Sequence, residues 1–406
     1  MIYEKPDSPF TPGRPVPPEF FVGRQREIGE ILARIKNAFG RGFLENILIY
    51  GDRGIGKSSL AGFAMTVAEM ELGAVKVHIS LSECADKTEL IEIVLRRIFE
   101  EFQRKNLLEK LGEWVQKYVR SVGLFGVLQI EFPRGEIDAM AESFDRVLEK
   151  VTEQMQQAGK TGLVLTFDDV NGLAEQRWFG NWYKGFSDGV AVRGTKLPLA
   201  IMLLTTPAQR RRLSEQQESL MRIFYPVEIG RLSDEEVEEF YRRAFARVGF
   251  EVRDDALKIM VKYASGLPAI MQEIGDAVFY ADEDGIITKK DAEKGILAAA
   301  EEVGRKYLAP KIYDAIRSER YRGILDKLGK FIGNSEEKGK FNIKSFRDAL
   351  NEDERNVLHN FLRKMRELGV IESYPEGGAG AYRFVNELFP IYIWLRSEVT
   401  RKVKVK

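Results

Sequence analysis

The sequence is poor in cysteine and histidine, and this scarcity excludes several kinds of chemistry. Its 406 residues include one cysteine, Cys84, and two histidines, His78 and His359. A single thiol cannot form an intrachain disulfide, and so few nitrogen and sulfur ligands argue against a structural zinc site. Catalysis that depends on a histidine acid or base is not expected for the same reason.

Long apolar runs and a net charge are also missing. No apolar run approaches the roughly 20 residues that cross a bilayer, and 62 basic residues balance 62 acidic ones. The first ten residues, MIYEKPDSPF, carry an acidic residue and prolines where a secretion signal has a basic and then an apolar segment. We therefore expect a cytoplasmic protein without membrane contact. Basic side chains are in excess over the last hundred residues, which indicates either a solvated tail or a phosphate contact.

The most informative stretch that is present is a glycine-rich loop between a predicted strand and a predicted helix. After the apolar run 46–50, the chain satisfies G-x-x-x-x-G-K-[ST] at every fixed position. Such a loop binds phosphate, because backbone N–H groups converge on the phosphate oxygens where glycine leaves room. Lys57 is expected to reach the β- and γ-phosphates of ATP, and the Ser58 hydroxyl to hold Mg²⁺. The predicted nucleotide-binding residues of this loop are Gly51, Asp52, Arg53, Gly54, Ile55, Gly56, Lys57, Ser58 and Ser59.

Two further apolar runs have the pattern of strands buried on both faces of a parallel sheet. Residues 162–170, GLVLTFDDV, end with Asp168 and Asp169, and residues 197–207 reach Thr205 near their end. Ligands of such sheets bind at the carboxyl ends of the strands. We therefore expect these polar side chains to face the nucleotide.

These features resemble P-loop ATPases of the AAA+ type. The resemblance includes an F-V-G-R box ahead of the phosphate loop, formed by Phe21, Val22, Gly23 and Arg24. In that family the box wraps the adenine, which implies a nucleotide contact for all four residues. The alternative is a hydrophobic staple for the helix that follows.

The same resemblance implies roles for the residues at the strand ends. Asp168 is expected to position Mg²⁺, and Asp169 to orient the attacking water. Because Asp169 is one methylene shorter than the glutamate that many relatives have, we expect slow hydrolysis. Thr205 or its neighbour Thr206 is the expected γ-phosphate sensor, and Thr205 is our choice. Arg222 lies where a subunit-bridging arginine finger commonly sits, with an ordinary surface arginine as the alternative.

From residue 232 onward the pattern is helical and resembles the lid that closes over bound nucleotide. A Gly266-Leu267-Pro268 segment opens one of its helices, and the resemblance implies that Pro268 contacts the nucleotide. The following residues 269–273 lack the second sensing arginine of many relatives. This departure favours the signal-transduction (STAND) ATPases, which carry a G-x-P lid motif.

The last hundred residues predict three helices followed by a glycine-tipped hairpin, which is typical of a winged helix. If this domain binds duplex DNA, its third helix enters the major groove. Acidic residues at the start of that helix argue against a strongly basic face, and a protein-docking role is the alternative. The predicted DNA-binding residues are Lys344, Arg355, Asn356, Arg363 and Lys364.

Together the motifs resemble the origin-recognition-like AAA+ ATPases and the neighbouring STAND ATPases. The predicted fold class is α/β, a P-loop NTPase with an ASCE-type parallel sheet, a helical lid and a C-terminal winged helix. The predicted domains are a proline-rich arm (1–19), an ATPase core (20–230), a lid (231–309) and a winged helix (310–406). An insertion at about 105–160 contains a predicted β-hairpin, Val119 to Phe132, that either contacts DNA or a neighbouring subunit or covers the sheet edge.

The functional expectation is a nucleotide-dependent switch that binds ATP and ADP, hydrolyses ATP slowly and binds duplex DNA. It forms a homo-oligomer in one nucleotide state. The alternative is a STAND-type signalling or defence scaffold whose terminal domain binds a protein partner.

Overall fold

The computed structural model describes most of the chain in two compact units. The described residues are 5–82, 84–107, 119–121, 128–130, 132, 134–170, 172–312, 318–333, 339–385 and 388–404. One unit, the sheet unit, is Pro15–Gly230, and the other, the C-terminal unit, combines Met1–Arg14 with Arg231–Lys406. The chain therefore passes between the units twice, after residue 14 and after residue 230.

A five-stranded parallel sheet forms the centre of the sheet unit, with strand order β2-β5-β6-β1-β7. Its strands are β1 (Leu44–Tyr50), β2 (Val75–Ser80), β5 (Leu163–Asp168), β6 (Leu199–Thr205) and β7 (Phe224–Glu228). The three central strands are buried along almost their whole length, as their continuous apolar runs predict. The parallel register sets Tyr50 beside Thr205 and Ser80 beside Asp168. All strands thus end at one edge, which positions the site.

Seven helices belong to this unit within the described residues, and five of them, α1, α2, α3, α6 and α7, contact the central sheet. The seven are α1 (Gln25–Arg41), α2 (Lys57–Leu72), α3 (Lys87–Arg104), α4 (Arg134–Glu142), α5 (Phe144–Gln157), α6 (Arg177–Arg193) and α7 (Pro207–Gln216). The pattern of residues 137–157 predicts one helix, and the structure has two, α4 and α5, separated by Ser143. The break is local, because Ser143 has φ −119° and ψ 35°, outside the helical range.

The insertion contains the predicted strand pair. Strands β3 (Val119–Ser121) and β4 (Leu128–Ile130) run antiparallel, with Val119 opposite Ile130. A further predicted helix at 107–118 lies almost wholly outside the described residues.

In the C-terminal unit, a helical bundle precedes a smaller mixed segment. The bundle consists of α8 (Asp234–Arg247), α9 (Asp254–Ala264), α10 (Pro268–Ala281) and α11 (Lys289–Val303), with a short parallel pair β8 (Glu251–Val252) and β9 (Ile286–Ile287). The predicted capping box of α8 is present: the Ser233 hydroxyl accepts from the Glu236 amide, and the Glu236 carboxylate accepts from the Ser233 amide. At Gly266 the backbone φ is +66°, and an added Cβ would lie 2.3 Å from the Leu232 carbonyl oxygen.

The segment after the bundle has the predicted order of helices and hairpin. A π-helical turn, Gly304–Leu308, leads to α12 (Ala309–Ile312), α13 (Glu319–Gly333), β10 (Lys340–Asn342), α14 (Ile343–Arg347), α15 (Glu352–Glu367), β11 (Ile371–Ser373), β12 (Ala381–Phe384) and α16 (Leu388–Lys404). Its three strands form an antiparallel sheet of order β10-β12-β11. The closing helix begins at the predicted residue 388 and continues past the predicted end at 395.

The proline-rich arm is anchored to α8 and α10 of this unit by one aromatic side chain. Phe10 is 4% exposed, and its ring centroid lies 5.0 Å from that of Phe245. The Thr11 amide donates to the side-chain oxygen of Gln272 at 2.7 Å. Gly275 leaves the space that Phe10 fills, since an added Cβ would lie 2.3 Å from its ring. Among the described residues, no helix is both long and apolar enough to span a membrane.

Candidate nucleotide-binding site

The phosphate loop connects β1 to α2, and its glycines are required for two different reasons. Gly54 and Gly56 have φ values of +80° and +92°, a region in which other residues are strained. Gly51 instead lies against the chain, because an added Cβ would be 2.5 Å from the Ile229 carbonyl oxygen. The helix α2 begins at Lys57, so its N-terminal amides face the loop as predicted.

Lys57 is folded back over this loop. Its Nζ donates to the carbonyl oxygens of Gly51 and Asp52, each at 2.9 Å. Burial lowers the pKa of the ammonium group, while the carboxylates of Asp168 and Asp52 act in the opposite direction. The Lys57 ammonium therefore already lies in the loop, where phosphate oxygens could take the place of its two carbonyl partners.

Ser58 and Asp168 are brought together by the tertiary structure, 110 positions apart in the chain. The Ser58 hydroxyl donates to Oδ2 of Asp168 at 2.6 Å, and the Asp169 amide donates to Oδ1 at 2.8 Å. Burial raises the pKa of Asp168, but hydrogen bonds from His78, Ser58 and the Asp169 amide outweigh it and hold the pKa below its usual value. The carboxylate is therefore ionised at neutral pH.

His78 is a member of this site that its place in the sequence does not predict. Its Nε2 lies 3.4 Å from Oδ2 of Asp168, across the β2–β5 pair. The sequence places His78 on a predicted strand. It does not specify the register of that strand against β5, so no local signal could have paired the two residues.

Asp169 and Thr205 lie at the same sheet edge. Asp169 follows β5, is exposed, and has a φ of +54°, in the left-handed region that aspartate tolerates better than most residues. Thr205 ends β6; its hydroxyl is buried and has no hydrogen-bond partner among the described residues. The Thr206 hydroxyl instead caps α7 by accepting from the Gln209 amide. Of the two threonines, Thr205 thus has the hydroxyl that is still available.

The F-V-G-R box packs against the phosphate-loop helix and the loop itself. The Phe21 ring stacks on Phe63 of α2, with centroids 4.7 Å apart and an angle of 18° between the ring planes. Gly23 and Arg24 both have positive φ, and Val22 is buried. The structure thus places the Phe21 ring against α2.

The remaining predicted site residues, Arg222 and Pro268, belong to other elements. Arg222 is exposed on a 3₁₀ turn, Glu218–Ile223, and its side chain makes no hydrogen bond or ion pair with another residue in the described part of the chain. Pro268 begins α10 in the C-terminal unit.

The predicted DNA-binding side chains lie along α14 and α15. Lys344, Arg355, Asn356 and Arg363 are exposed, and Lys364 is half-buried. Arg363 contacts Asn360 at 3.1 Å and Glu367 at 3.9 Å, so its charge is partly balanced by a neighbour.

One acidic residue at the start of α15 does not reduce the charge of this face. Glu354 is 5% exposed, pairs with Lys327 at 2.5 Å and accepts from the Asn351 amide at the helix cap. Only Glu352 and Asp353 of the acidic triplet face solvent. The exposed face of α15 therefore carries less negative charge than the sequence predicts.

The parallel sheet, the phosphate loop after β1 and the carboxylate strand β5, which is separated from β1 by β6, define a P-loop NTPase. Residues 21–179 match the family model of the AAA ATPase domain. This match supports the predicted AAA+ ATPase class over the part of the chain that it covers.

Two solved structures share the fold of the chain. The Walker-type ATPase PABY2304 of Pyrococcus abyssi is 16% identical with a TM-score of 0.56, over 97% of this chain and 99% of that one. The ORC2 protein of Aeropyrum pernix, in ADPNP-ADP complexes, is 11% identical with a TM-score of 0.61, over 100% of each chain. A search of the curated proteins found no match.

Proposed function

We propose that this protein is a slow, cytoplasmic ATPase switch whose terminal segment, a winged helix, binds duplex DNA. The observation that carries the proposal is the Ser58–Asp168 pair beside a phosphate loop that already holds Lys57. These groups match the needs of a nucleoside triphosphate: backbone amides and an ammonium for phosphate, and oxygen ligands for a cation.

Ser58 and Asp168 would hold Mg²⁺, because a hydroxyl and an ionised carboxylate are the hard oxygen ligands that this ion prefers. No cluster of three or more acidic, histidine or cysteine side chains suited to a metal occurs in the described ranges. The remaining ligands would come from phosphate and water, as is usual for Mg²⁺. The ion would neutralise charge on the β- and γ-phosphate oxygens.

Three further residues would bind the phosphates and orient the attacking water. Lys57 would exchange its two carbonyl partners for phosphate oxygens, and Thr205 would offer its unpartnered hydroxyl to the γ-phosphate or the attacking water. Asp169 would orient that water. Its short side chain starts from a constrained backbone, which supports a low rate.

DNA binding is supported by the exposed side chains of α15. Arg355, Asn356 and Arg363 lie on its solvent side, and Glu354 is turned inward and neutralised. Phosphate contacts by such a face predict an affinity that falls steeply with salt, with a slope of about −0.9 per contact.

The test is binding of the full chain to a labelled duplex at two salt concentrations, with ATP, ADP or no nucleotide. We expect salt-sensitive binding that is tighter with ATP, and weaker binding by Arg363→Ala. Arg243→Ala, at an exposed position of α8, is the matched control and should bind like wild type. Absence of binding in every nucleotide state would refute the DNA part of the proposal.

A STAND-type scaffold is the second candidate, favoured by the acidic start of α15. Glu352 and Asp353 are exposed there, and Glu367 lies 3.9 Å from both Arg363 and Lys364. Such a mixed-charge face suits a protein partner better than a phosphate backbone. Binding that is insensitive to salt would favour this candidate.

A further inference from the structure

Arg24 is a buried arginine whose hydrogen bonds join two distant pieces of backbone. Its side chain donates to the Ile55 carbonyl at 2.7 Å and to the Gly230 carbonyl at 3.1 Å. The residue is 8% exposed and has a φ of +60°. A buried guanidinium and a left-handed backbone are both costly for a non-glycine residue, so this position is stabilised by the bonds that it makes.

The two carbonyls belong to functionally different segments. Ile55 lies between the two positive-φ glycines of the phosphate loop, and its side chain is 2% exposed. Gly230 is the last residue of the sheet unit, at the point where the chain passes to the C-terminal unit. The preceding residue, Ile229, is fixed to the end of β1 by a 2.9 Å bond from its amide to the Tyr50 carbonyl.

We propose that Arg24 is a positioning residue that couples the conformation of the phosphate loop to the crossing at residues 230–231. The guanidinium is planar and carries several N–H donors, so it can hold both carbonyls at once. A change in the loop that moves the Ile55 carbonyl must then be accommodated either at Arg24 or at Gly230. This proposal rests on nucleotide binding at the phosphate loop. It assigns Arg24 to the backbone, whereas the family resemblance implies a contact with the nucleotide.

The test compares Arg24→Gly and Arg24→Lys with wild type. Glycine adopts the observed φ without strain, so Arg24→Gly removes the guanidinium and leaves the backbone unstrained. Both bonds come from one terminal nitrogen of Arg24. A lysine side chain is one atom shorter, so we expect its ammonium to hold the two carbonyls less well and to restore part of the function. Arg26→Gly would disturb α1, so Arg26→Ala is the surface control; the Arg26 side chain is 76% exposed.

Two measurements are made on the full chain: the affinity for a fluorescent ADP, and hydrogen exchange at amides 52–58 and 230–234. For Arg24→Gly we expect about tenfold weaker ADP binding, equivalent to about 1.4 kcal/mol, and faster exchange in both segments without nucleotide. Millimolar ethylguanidinium should partly restore the ADP affinity and the slow exchange of Arg24→Gly. For Arg24→Lys we expect values of both quantities between those of wild type and Arg24→Gly. Arg26→Ala should match wild type.

In Arg24→Gly, faster exchange at amides 52–58 without a change at 230–234 would overturn the coupling. Weaker ADP binding with unchanged exchange at 230–234 would also overturn it. The second result would identify Arg24 as a ligand contact. If Arg24→Gly fails to fold, the same comparison is made with Arg24→Lys, for which unchanged exchange at both segments overturns the proposal. Lys57→Ala separates the two hypotheses: undiminished ADP affinity in that variant refutes the proposed nucleotide site itself.

Discussion

At the scale of single residues, Lys57 shows how the loop is prepared for phosphate. Its ammonium is largely buried, and burial lowers its pKa. Because the unfolded chain keeps the ordinary, higher pKa, the unfolded state binds more protons at alkaline pH, and stability rises with pH through that range. The lysine therefore costs the ligand-free protein some stability, which phosphate binding would offset.

Lys57→Met is expected to abolish ATP binding while the ligand-free protein melts at least as high as wild type. Methionine keeps the length of the side chain and removes the desolvated charge. The difference in melting temperature between variant and wild type should shrink as pH rises from 7 to 10. Thermal melts and fluorescent-ATP titrations check both parts, with exposed Lys36→Met as the control. A large loss of stability in Lys57→Met would show that the two carbonyl bonds outweigh the desolvation.

At the level of elements, Phe10 packs the arm against the helices of the C-terminal unit, beside hydrogen bonds from Lys5, Ser8 and Thr11. The prolines predict an extended segment, and they do not predict that Phe10 enters the apolar interior between α8 and α10. Its contact with Gly275 joins positions 265 residues apart, so it depends on how the helices pack.

Phe10→Ala is expected to release the arm and lower the stability of the C-terminal unit. Loss of a buried phenylalanine costs about 3–5 kcal/mol, and detachment of the arm limits this loss. Limited proteolysis should cleave residues 5–14 faster, and thermal unfolding should occur at a lower temperature. Gly275→Ala should produce the same effects from the opposite side, because its Cβ would occupy the ring's position. Arg14→Ala, at an exposed position of the arm, is the control. If the arm is cleaved equally fast in Arg14→Ala and Phe10→Ala, Phe10 does not anchor it.

At the level of the whole molecule, variants of Arg222 and Asp169 can test whether Arg222 acts on the nucleotide site of a neighbouring subunit. Arg222 is exposed, with no described residue paired to its side chain, as a residue that acts on a neighbouring subunit must be. An arginine finger supplied by a neighbour contributes about 10³ to 10⁵ in rate. The role of Arg222 remains a prediction.

Mixing Arg222→Ala with Asp169→Asn should restore part of the ATP hydrolysis that each variant lacks alone. Each mixed interface can combine an intact Asp169 from one subunit with an intact Arg222 from the other. Steady-state phosphate release, measured on protein shown by light scattering to be co-assembled, checks this. Arg211→Ala, an exposed neighbour, should retain full activity without mixing. No recovery in co-assembled protein would assign Arg222 to the ordinary surface.

Features that depend on neighbouring residues could be predicted from the amino-acid sequence. The phosphate loop, the buried strands ending in Asp168 and Thr205, and the capping box of Ser233 follow from local spacing, because the groups that interact are a few positions apart or share one strand.

Contacts between distant groups could not be predicted from the amino-acid sequence, because they form only when the elements pack. His78 reaches Asp168 through the register of two strands, Arg24 joins Ile55 to Gly230, and Glu354 is neutralised by Lys327. The residues that meet in these contacts are 27 to 206 positions apart in the chain. Each depends on how elements pack, because the same local pattern is compatible with many registers and helix orientations.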